Sequence, residues 1–202
     1  MGMKKDYPRG KMEQTHITLL QRLRNQQDEK SWDEFAAAYR PFIHAVLRRL
    51  GLNHHDAEDL SQEVLLKSWK ALPEYKHEES KGRFRAWLSR ISVNTLRSWV
   101  RQKHTKSRTK PESFEWASCS DPELDNIAEQ EWQLYISDLA WQKIKDNFVP
   151  TVQQSFLLSM EGITAAEIAQ RLGLAVSSVR INKYRVTAAM CKEIVRLDSE
   201  LS

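Results

Sequence analysis

The chain of 202 residues carries 31 Lys or Arg and 27 Asp or Glu, and 41% of it is hydrophobic. This length fits one domain or two small ones, and the apolar fraction is sufficient for hydrophobic cores. Two cysteines exclude a disulfide framework and indicate a reducing, intracellular setting. Since no signal peptide and no apolar run of membrane-spanning length is recognisable, we expect a cytoplasmic chain without membrane insertion.

Three predicted helices occupy the first half of the chain. Apolar residues step by three and four positions over 32–50, where Gly51 ends the pattern. A second helix is expected over 56–72, before Pro73, and a third over 84–102. The third helix is apolar over a wide arc, so we expect it at the centre of a first bundle.

The charge of the chain changes sign abruptly near its middle. Residues 81–110 contain ten Lys or Arg and no acid, whereas residues 111–140 contain eight Asp or Glu and no base. The segment around this change lacks apolar periodicity, which is typical of a linker. We therefore predict a flexible acidic linker at 106–128.

The sequence as a whole predicts an all-α protein with two small helical domains. The first domain is expected at 30–105 and the second at 129–198, and the segment 1–29 has no pattern that assigns it a role. Helical spacing resumes near Leu124 and includes Leu124, Ile127, Leu134, Ile136 and Leu139. A shorter helix is expected to start at Pro150.

Two further helical patterns meet at a glycine in the stretch TAAEIAQRLGLAVSSVRINKYR. Thr164 and Glu167 have the spacing of a capping box, and Gly173 suits the left-handed conformation that ends a helix. Ala169 is small enough for two helices to approach, and Val179 returns an apolar side chain to their shared core. Ser177 or Ser178 is the expected N-cap of the second helix. These features predict a helix-turn-helix.

The outward residues of the second helix have the chemistry of DNA recognition. Hydroxyl and guanidinium groups suit base edges and phosphates in a major groove. The alternative is a helical hairpin with a solvated basic face. The candidate DNA-reading residues are Ser177, Ser178, Arg180, Lys183, Tyr184 and Arg185.

Basic residues and aromatic rings alternate along the third helix. Cations follow a phosphate backbone, and flat rings stack on unpaired bases. Phe84 and Trp87 have the spacing of core residues, whereas Trp99 is a candidate for either role. The pattern favours a second nucleic-acid surface, suited to single-stranded or distorted DNA.

These segments resemble a known family, the sigma-70-type RNA polymerase sigma factors. DAEDLSQEVLLKSWKAL (56–72) and GRFRAWLSRISVNTLRSWVRQ (82–102) are similar to the family's second region, and residues 151–186 are similar to its fourth region. The resemblance covers roughly 30–102 and 130–197. The absence of an intervening domain resembles the extracytoplasmic-function (ECF) group.

The resemblance implies partners and roles for particular residues. It implies core RNA polymerase (through the β′ clamp helices and the β flap) and promoter DNA as partners, with an anti-sigma factor as a further candidate. The residues implied in polymerase binding are Asp56, Asp59, Gln62 and Glu63. Those implied in opening and reading the −10 element, where a flipped base enters a pocket, are Arg83, Arg90, Asn94, Arg97 and Arg101. The helix-turn-helix would read the −35 element, and the linker would thread through a basic channel of the polymerase.

The chain departs from the family in the recognition helix. It has RINKYR where many members have a basic run containing serine, so with Ile181, Asn182 and Tyr184 the resemblance implies the role of this helix but not its promoter sequence. A stand-alone helix-turn-helix regulator with an N-terminal interaction domain is the alternative function. No catalytic arrangement, metal site or cofactor is predicted, and His54 with His55 is interpreted as a polar turn.

Overall fold

A computed structural model describes residues 22–23, 29–75, 84–106 and 121–201, and within these ranges the chain is all-α, which confirms the predicted class. Two 3-10 turns, Leu72–Glu74 and Lys145–Asn147, follow the second and the fourth helix. The helices are α1 (Glu29–Arg49), α2 (His54–Ala71), α3 (Phe84–Lys106), α4 (Asp121–Ile144), α5 (Pro150–Met160), α6 (Ala165–Leu172) and α7 (Val176–Leu201).

The described residues divide into two compact units. The first contains those up to Tyr135 together with 199–201, and the second is Ile136–Asp198. The first half of α4 therefore groups with α1, α2 and α3, although the sequence placed residues from 129 onward in the second domain. α4 also begins at Asp121, inside the predicted linker at 106–128, of which residues 107–120 lie outside the described ranges.

Aromatic side chains form much of the core of the first unit. The rings of Tyr39 and Phe84 meet edge to face with centroids 5.3 Å apart, and those of Phe42 and Trp132 do so at 5.1 Å. All four side chains are buried. Burying one such side chain contributes about 1.5–3 kcal/mol, so these contacts are a large part of what holds α1, α3 and α4 together.

The start of α2 lies two residues earlier than the sequence predicts. Asn53 is its N-cap, and the Asn53 side chain accepts a 2.8 Å hydrogen bond from the backbone N–H of Asp56. An amide oxygen at this position satisfies one of the free N–H groups at a helix start. The helix therefore begins at His54 rather than at Asp56.

One side of the first half of α4 is buried, and a tryptophan dominates that side. Leu124, Ala128 and Trp132 follow each other at four-residue spacing and are buried. Leu134, which the sequence grouped with the apolar residues of this helix, is 64% exposed. The Arg85 guanidinium donates two hydrogen bonds to the Glu129 carboxylate, at 2.8 and 3.1 Å. Packing and charge together thus hold this segment in the first unit.

The second unit contains the two helices that the glycine joins. Gly173 has φ +64°, in the left-handed region, and its N–H donates to the carbonyl of Ala169. Ile168, Ala169 and Val179 form a buried cluster that connects α6 to α7. Thr164 and Glu167 form the predicted capping box.

The predicted N-cap of α7 is wrong. α7 begins at Val176, so neither Ser177 nor Ser178 occupies the capping position. The backbone N–H of Val179 already donates to the carbonyl of Ala175 at 3.2 Å, which starts the helix before the serines. Ser177 and Ser178 are therefore both residues of the helix.

Candidate functional site

The first three turns of α7 carry the residues that the sequence predicts to read DNA. Their backbone is helical throughout, and Ser178 is half-buried while the other five side chains are exposed. Val179 and Val186 lie on the opposite side of α7 and are buried. The structure therefore brings all six residues to the outer part of one helix: Ser177, Ser178, Arg180, Lys183, Tyr184 and Arg185.

The cations in the first turns of α7 have no ion pair with any side chain that the structure describes. Among the residues that the structure describes, Arg180, Lys183 and Arg185 have no acidic partner within ion-pair distance. Residues 168–192 contain no Asp or Glu at all. A cationic helix face without acids attracts a polyanion over a longer range than a mixed-charge face does.

A second basic surface lies on α3. Arg90, Asn94, Arg97 and Arg101 recur at spacings of four, three and four residues, which places them on one side of the helix. Arg90, Asn94 and Arg101 are exposed and Arg97 is half-buried. We call these four residues the α3 basic face. Arg83, the remaining predicted −10 residue, lies outside the described residues.

A cavity of about 230 Å³ opens beside the α3 basic face. α3 provides most of its lining, and the start of α4 provides the rest. The cavity contains cationic, acidic, amide and apolar groups together. The lining residues are Ser89, Arg90, Val93, Asn94, Arg97, Leu124 and Asp125.

Other cations of α3 are committed to contacts inside the first unit. Lys103 forms a 3.1 Å ion pair with Asp56, and its ammonium also lies 3.8 Å from the centroid of the Trp99 ring. Arg85 is paired with Glu129 and lies over the ring of Trp132. Trp99 therefore has a cation on its ring, and the aromatic–basic alternation of this helix is in part structural.

The acidic residues predicted to bind polymerase lie on α2, but they differ in exposure. Asp59, Gln62 and Glu63 are exposed, and Glu63 forms a 2.8 Å surface ion pair with Lys67. Asp56 is half-buried and is bonded to Lys103 and to the Asn53 side chain. We call Asp59, Gln62 and Glu63 the α2 acidic face, because Asp56 is turned to internal contacts.

His44, inside α1, and His54, the first residue of α2, form a pair. The interpretation of His54 and His55 as a polar turn is wrong, because the Asn53 cap starts α2 at His54 and both histidines are helical. The rings of His44 and His54 have centroids 5.1 Å apart. Burial lowers the pKa of His44, and the nearby His54 lowers it further. Within the described ranges, no group of three or more His, Cys, Asp or Glu side chains is arranged to hold a metal ion. None of the helices described is long and apolar enough to cross a membrane.

Two features of these surfaces escaped the sequence analysis. Lys103 pairs with Asp56, although the two residues are far apart in the chain, and no local pattern indicates that contact. The second feature is the outward position of Ile181, a residue that the sequence analysis named without placing it: 56% of its surface is exposed. Helical periodicity relative to Val179 and Val186 would have found this position, since it lies opposite the buried side.

Comparisons with known proteins find similarity to RNA polymerase sigma factors. The family model "Sigma-70 region 2" matches residues 35–105, which include α2 and the α3 basic face. The chain is 29% identical over 157 residues to the ECF RNA polymerase sigma factor SigE of Mycolicibacterium smegmatis, covering 77% of this chain and 58% of that protein. It is 32% identical over 155 residues to the ECF RNA polymerase sigma factor ShbA of Streptomyces griseus, covering 74% of this chain and 78% of that protein.

A solved structure is also similar. A chain of the "Structure of CnrH in complex with the cytosolic domain of CnrY" aligns at 18% identity with a TM-score of 0.37, covering 88% of this chain and 96% of that one.

Proposed function

The chain belongs to the ECF group of the sigma-70 family of RNA polymerase sigma factors, and from this premise we propose that it binds core RNA polymerase and directs initiation at specific promoters. The observation that carries the proposal is the presence of two cationic helix faces in two separate compact units, with an acidic helix face in the first. A promoter-specificity subunit needs two DNA contacts and one polymerase contact. Sigma factors are not enzymes, and no reaction is assigned to this chain.

The α2 acidic face is the proposed contact with the β′ clamp helices. Its carboxylates and amide are exposed on one helix, and Leu66 beside them is 56% exposed. An apolar residue among charged ones is common in protein–protein interfaces, where a desolvated centre has a polar rim. Asp56 has a different proposed role, because its bonds to Lys103 and Asn53 fix the start of α2.

The α3 basic face and its cavity are the proposed site of the −10 element. Arg90, Arg97 and Arg101 would follow the phosphates of a separated strand. Asn94 lies in the cavity lining and offers both a donor and an acceptor to the edge of an unpaired base. A base leaves the stack at a cost of a few kcal/mol, and such a cavity lowers that cost.

α7 is the proposed reader of the −35 element in duplex DNA. The first turns of a recognition helix enter the major groove, and the exposed residues of α7 lie there. The segment between α3 and α4 is proposed to pass through a polymerase channel built for nucleic acid, since residues 121–128 of the predicted linker belong to α4. The β flap is proposed to contact the second unit. This work would be done in the cytoplasm, where an anti-sigma factor would control it.

The test is in vitro transcription by bacterial core polymerase on a genomic promoter library, with and without the chain. New start sites that depend on the chain are the expected result, and their upstream sequences give both promoter elements. Specific duplex binding by the chain alone, without transcripts and without comigration with core, would instead favour a stand-alone regulator.

A charge reversal separates polymerase binding from DNA binding. Asp59→Lys is expected to weaken binding to core at least about 30-fold, because charge pairs at the centre of an interface contribute about 2 kcal/mol or more. Asp33→Lys is the matched control, since Asp33 is an exposed acid on α1. Binding of short −35 duplexes by Asp59→Lys should stay at the wild-type level. Equal loss of core binding in both variants would contradict the assignment of the α2 acidic face.

A further inference from the structure

The outermost line of α7 is uncharged, and two of its three residues have large apolar or aromatic side chains. Successive residues of an α-helix are rotated by about 100°, so Ser177, Ile181 and Tyr184 project away from the buried Val179 and Val186. Ile181 is 56% exposed and Tyr184 is 75% exposed. In a soluble helix these positions normally carry charged or amide side chains.

Cations border this apolar line on both sides. By helical rotation Arg180 lies next to this line on one side and Arg185 on the other, and Lys183 lies beyond Arg180, nearer to the buried valines. None of the three has an acidic partner among the described residues. This arrangement, with an apolar centre and cationic borders, matches a major groove, where base edges form the floor and phosphates form both rims.

The chemistry of the central residues restricts what they can distinguish. An isoleucine side chain has no hydrogen-bonding group, so it cannot read the donor and acceptor pattern of a base edge. The one apolar group on the floor of the major groove is the C5-methyl of thymine. A tyrosine ring can pack on the same methyl, and its hydroxyl remains available for a polar neighbour.

We infer that Ile181 and Tyr184 contact thymine methyl groups in the −35 element, so that this chain recognises the centre of that element by apolar contact. The borders Arg180, Lys183 and Arg185 hold the phosphates and set the depth of the helix in the groove. This inference rests on the proposed function, since it assigns the specificity of the same DNA-reading helix. It also explains why an apolar and an aromatic residue occur in RINKYR, the segment in which this chain departs from many family members.

Uracil substitution tests the inference without any change in the protein. The promoter is one selected by transcription with core polymerase, and each thymine of its −35 element is replaced singly by deoxyuridine, on either strand. This change removes the methyl group and leaves every hydrogen-bonding group of the base in place. Holoenzyme affinity is expected to fall about 3- to 5-fold at one or two positions, as loss of one buried methyl implies.

An Ile181→Ala variant identifies the residue that detects the methyl. In Ile181→Ala holoenzyme the uracil effect should shrink to less than about 1.5-fold at one of those positions, while phosphate contacts and the salt dependence stay unchanged. Val195→Ala is the matched control, because Val195 is an apolar residue of α7 that is 66% exposed but lies beyond the first turns. That control should retain the full uracil effect.

The outcomes separate this inference from the proposed function. Normal transcription with no uracil effect at any −35 thymine would overturn the inference and leave the proposed function in place. A selected −35 element that contains no thymine on either strand would also overturn it. If Ile181→Ala binds core polymerase more weakly and still discriminates uracil from thymine, Ile181 contacts the polymerase rather than DNA, and the inference is overturned. Failure of the wild-type chain to start transcription with core would contradict the proposed function itself.

Discussion

α3 and the first turns of α7 both carry several cations, but the contacts of those cations differ. On α3, Lys103 is paired with Asp56 and Arg85 with Glu129. On α7, Arg180, Lys183 and Arg185 have no acidic partner among the described residues. Paired cations are already partly desolvated and release fewer counterions when DNA binds, so composition alone does not give the strength of a DNA surface.

The difference fits two separate tasks. The surface that makes the first contact with closed duplex DNA should carry unneutralised charge, because the long-range electric field of that charge steers association. A surface that holds a separated strand benefits from groups in fixed positions, and the ion pairs of Arg85 and Lys103 fix the helix that carries the α3 basic face. We therefore assign first contact to α7 and strand capture to the α3 basic face.

The largest effect should follow removal of the α7 cations. The triple change Arg180→Ala, Lys183→Ala and Arg185→Ala is expected to lower holoenzyme affinity for −35 duplexes about 100-fold. The salt slope, which is the slope of log affinity against log salt concentration, should decrease in magnitude by about 3, as the loss of three phosphate contacts implies. The measurement is a fluorescence-anisotropy titration over several salt concentrations.

The control for this variant lies on α3. Lys103→Ala should change the same slope by less than about 0.5, since Lys103 is occupied by Asp56 and Trp99. An equal change of the salt slope in the two variants would contradict the distinction between the paired Lys103 and the three α7 cations.

The next effect concerns the turn that presents α7. Gly173→Ala should destabilise the second unit by about 1–2 kcal/mol, the cost of a left-handed conformation in an ordinary residue. No atom lies within 4 Å of an added Cβ at Gly173, so the cost is one of backbone conformation alone. Thermal unfolding followed by circular dichroism measures it.

Asparagine is the control at the same position. Gly173→Asn should recover a large part of the loss, because asparagine tolerates the left-handed region. If alanine and asparagine destabilise the unit equally, the cost has another origin than backbone conformation.

Much of the fold followed from the sequence, and the reasons are local. Gly51, Pro73 and Pro150 set helix ends near where they were expected, and the Thr164–Glu167 capping box formed as its spacing predicts. These features depend on neighbours within four residues. The outward position of the α7 cations also followed from one helical repeat.

Contacts between residues distant in the chain were not predictable in this way. The Arg85–Glu129 and Lys103–Asp56 pairs join different helices, and periodicity along one helix does not say which partner it meets. The burial of Trp132 against Phe42, which draws α4 into the first unit, is a contact of the same kind. The assignment of individual residues to polymerase and to the −10 element remains a prediction.

A smaller effect should follow release of Lys103. Asp56→Asn is expected to destabilise the first unit by less than about 1 kcal/mol, as for other partly exposed ion pairs. The freed ammonium should then raise the salt slope of promoter binding by up to about 1. Asp33→Asn is the control, and a lower slope in Asp56→Asn than in that control would contradict the neutralisation of Lys103 by Asp56.

The smallest effect is a pH dependence at the start of α6. The Thr164 hydroxyl and then its backbone N–H donate to the Glu167 carboxylate and lower the Glu167 pKa. A lowered folded pKa means that the unfolded chain binds the proton more readily. The stabilisation is therefore present above the unfolded pKa and is lost as pH falls through the folded pKa.

Glu167→Gln isolates this contribution. The loss of unfolding free energy between about pH 7 and about pH 3 should be smaller in Glu167→Gln than in wild type. Glu161→Gln, a change at an exposed acid outside the capping box, should behave as wild type does. The same acid sensitivity in Glu167→Gln and wild type would show that the capping carboxylate has no role in it.

Permanganate footprinting of a selected promoter with reconstituted holoenzyme tests most directly whether α7 makes the first contact with DNA and the α3 basic face captures the separated strand. We predict that wild-type holoenzyme exposes unpaired thymines around the −10 element. Asn94→Ala holoenzyme should occupy the promoter without exposing them, and Arg180→Ala holoenzyme should expose the same thymines only at higher concentration. Unpaired thymines in Asn94→Ala at the wild-type level, or duplex protection by the free chain as specific as that of holoenzyme, would contradict the account.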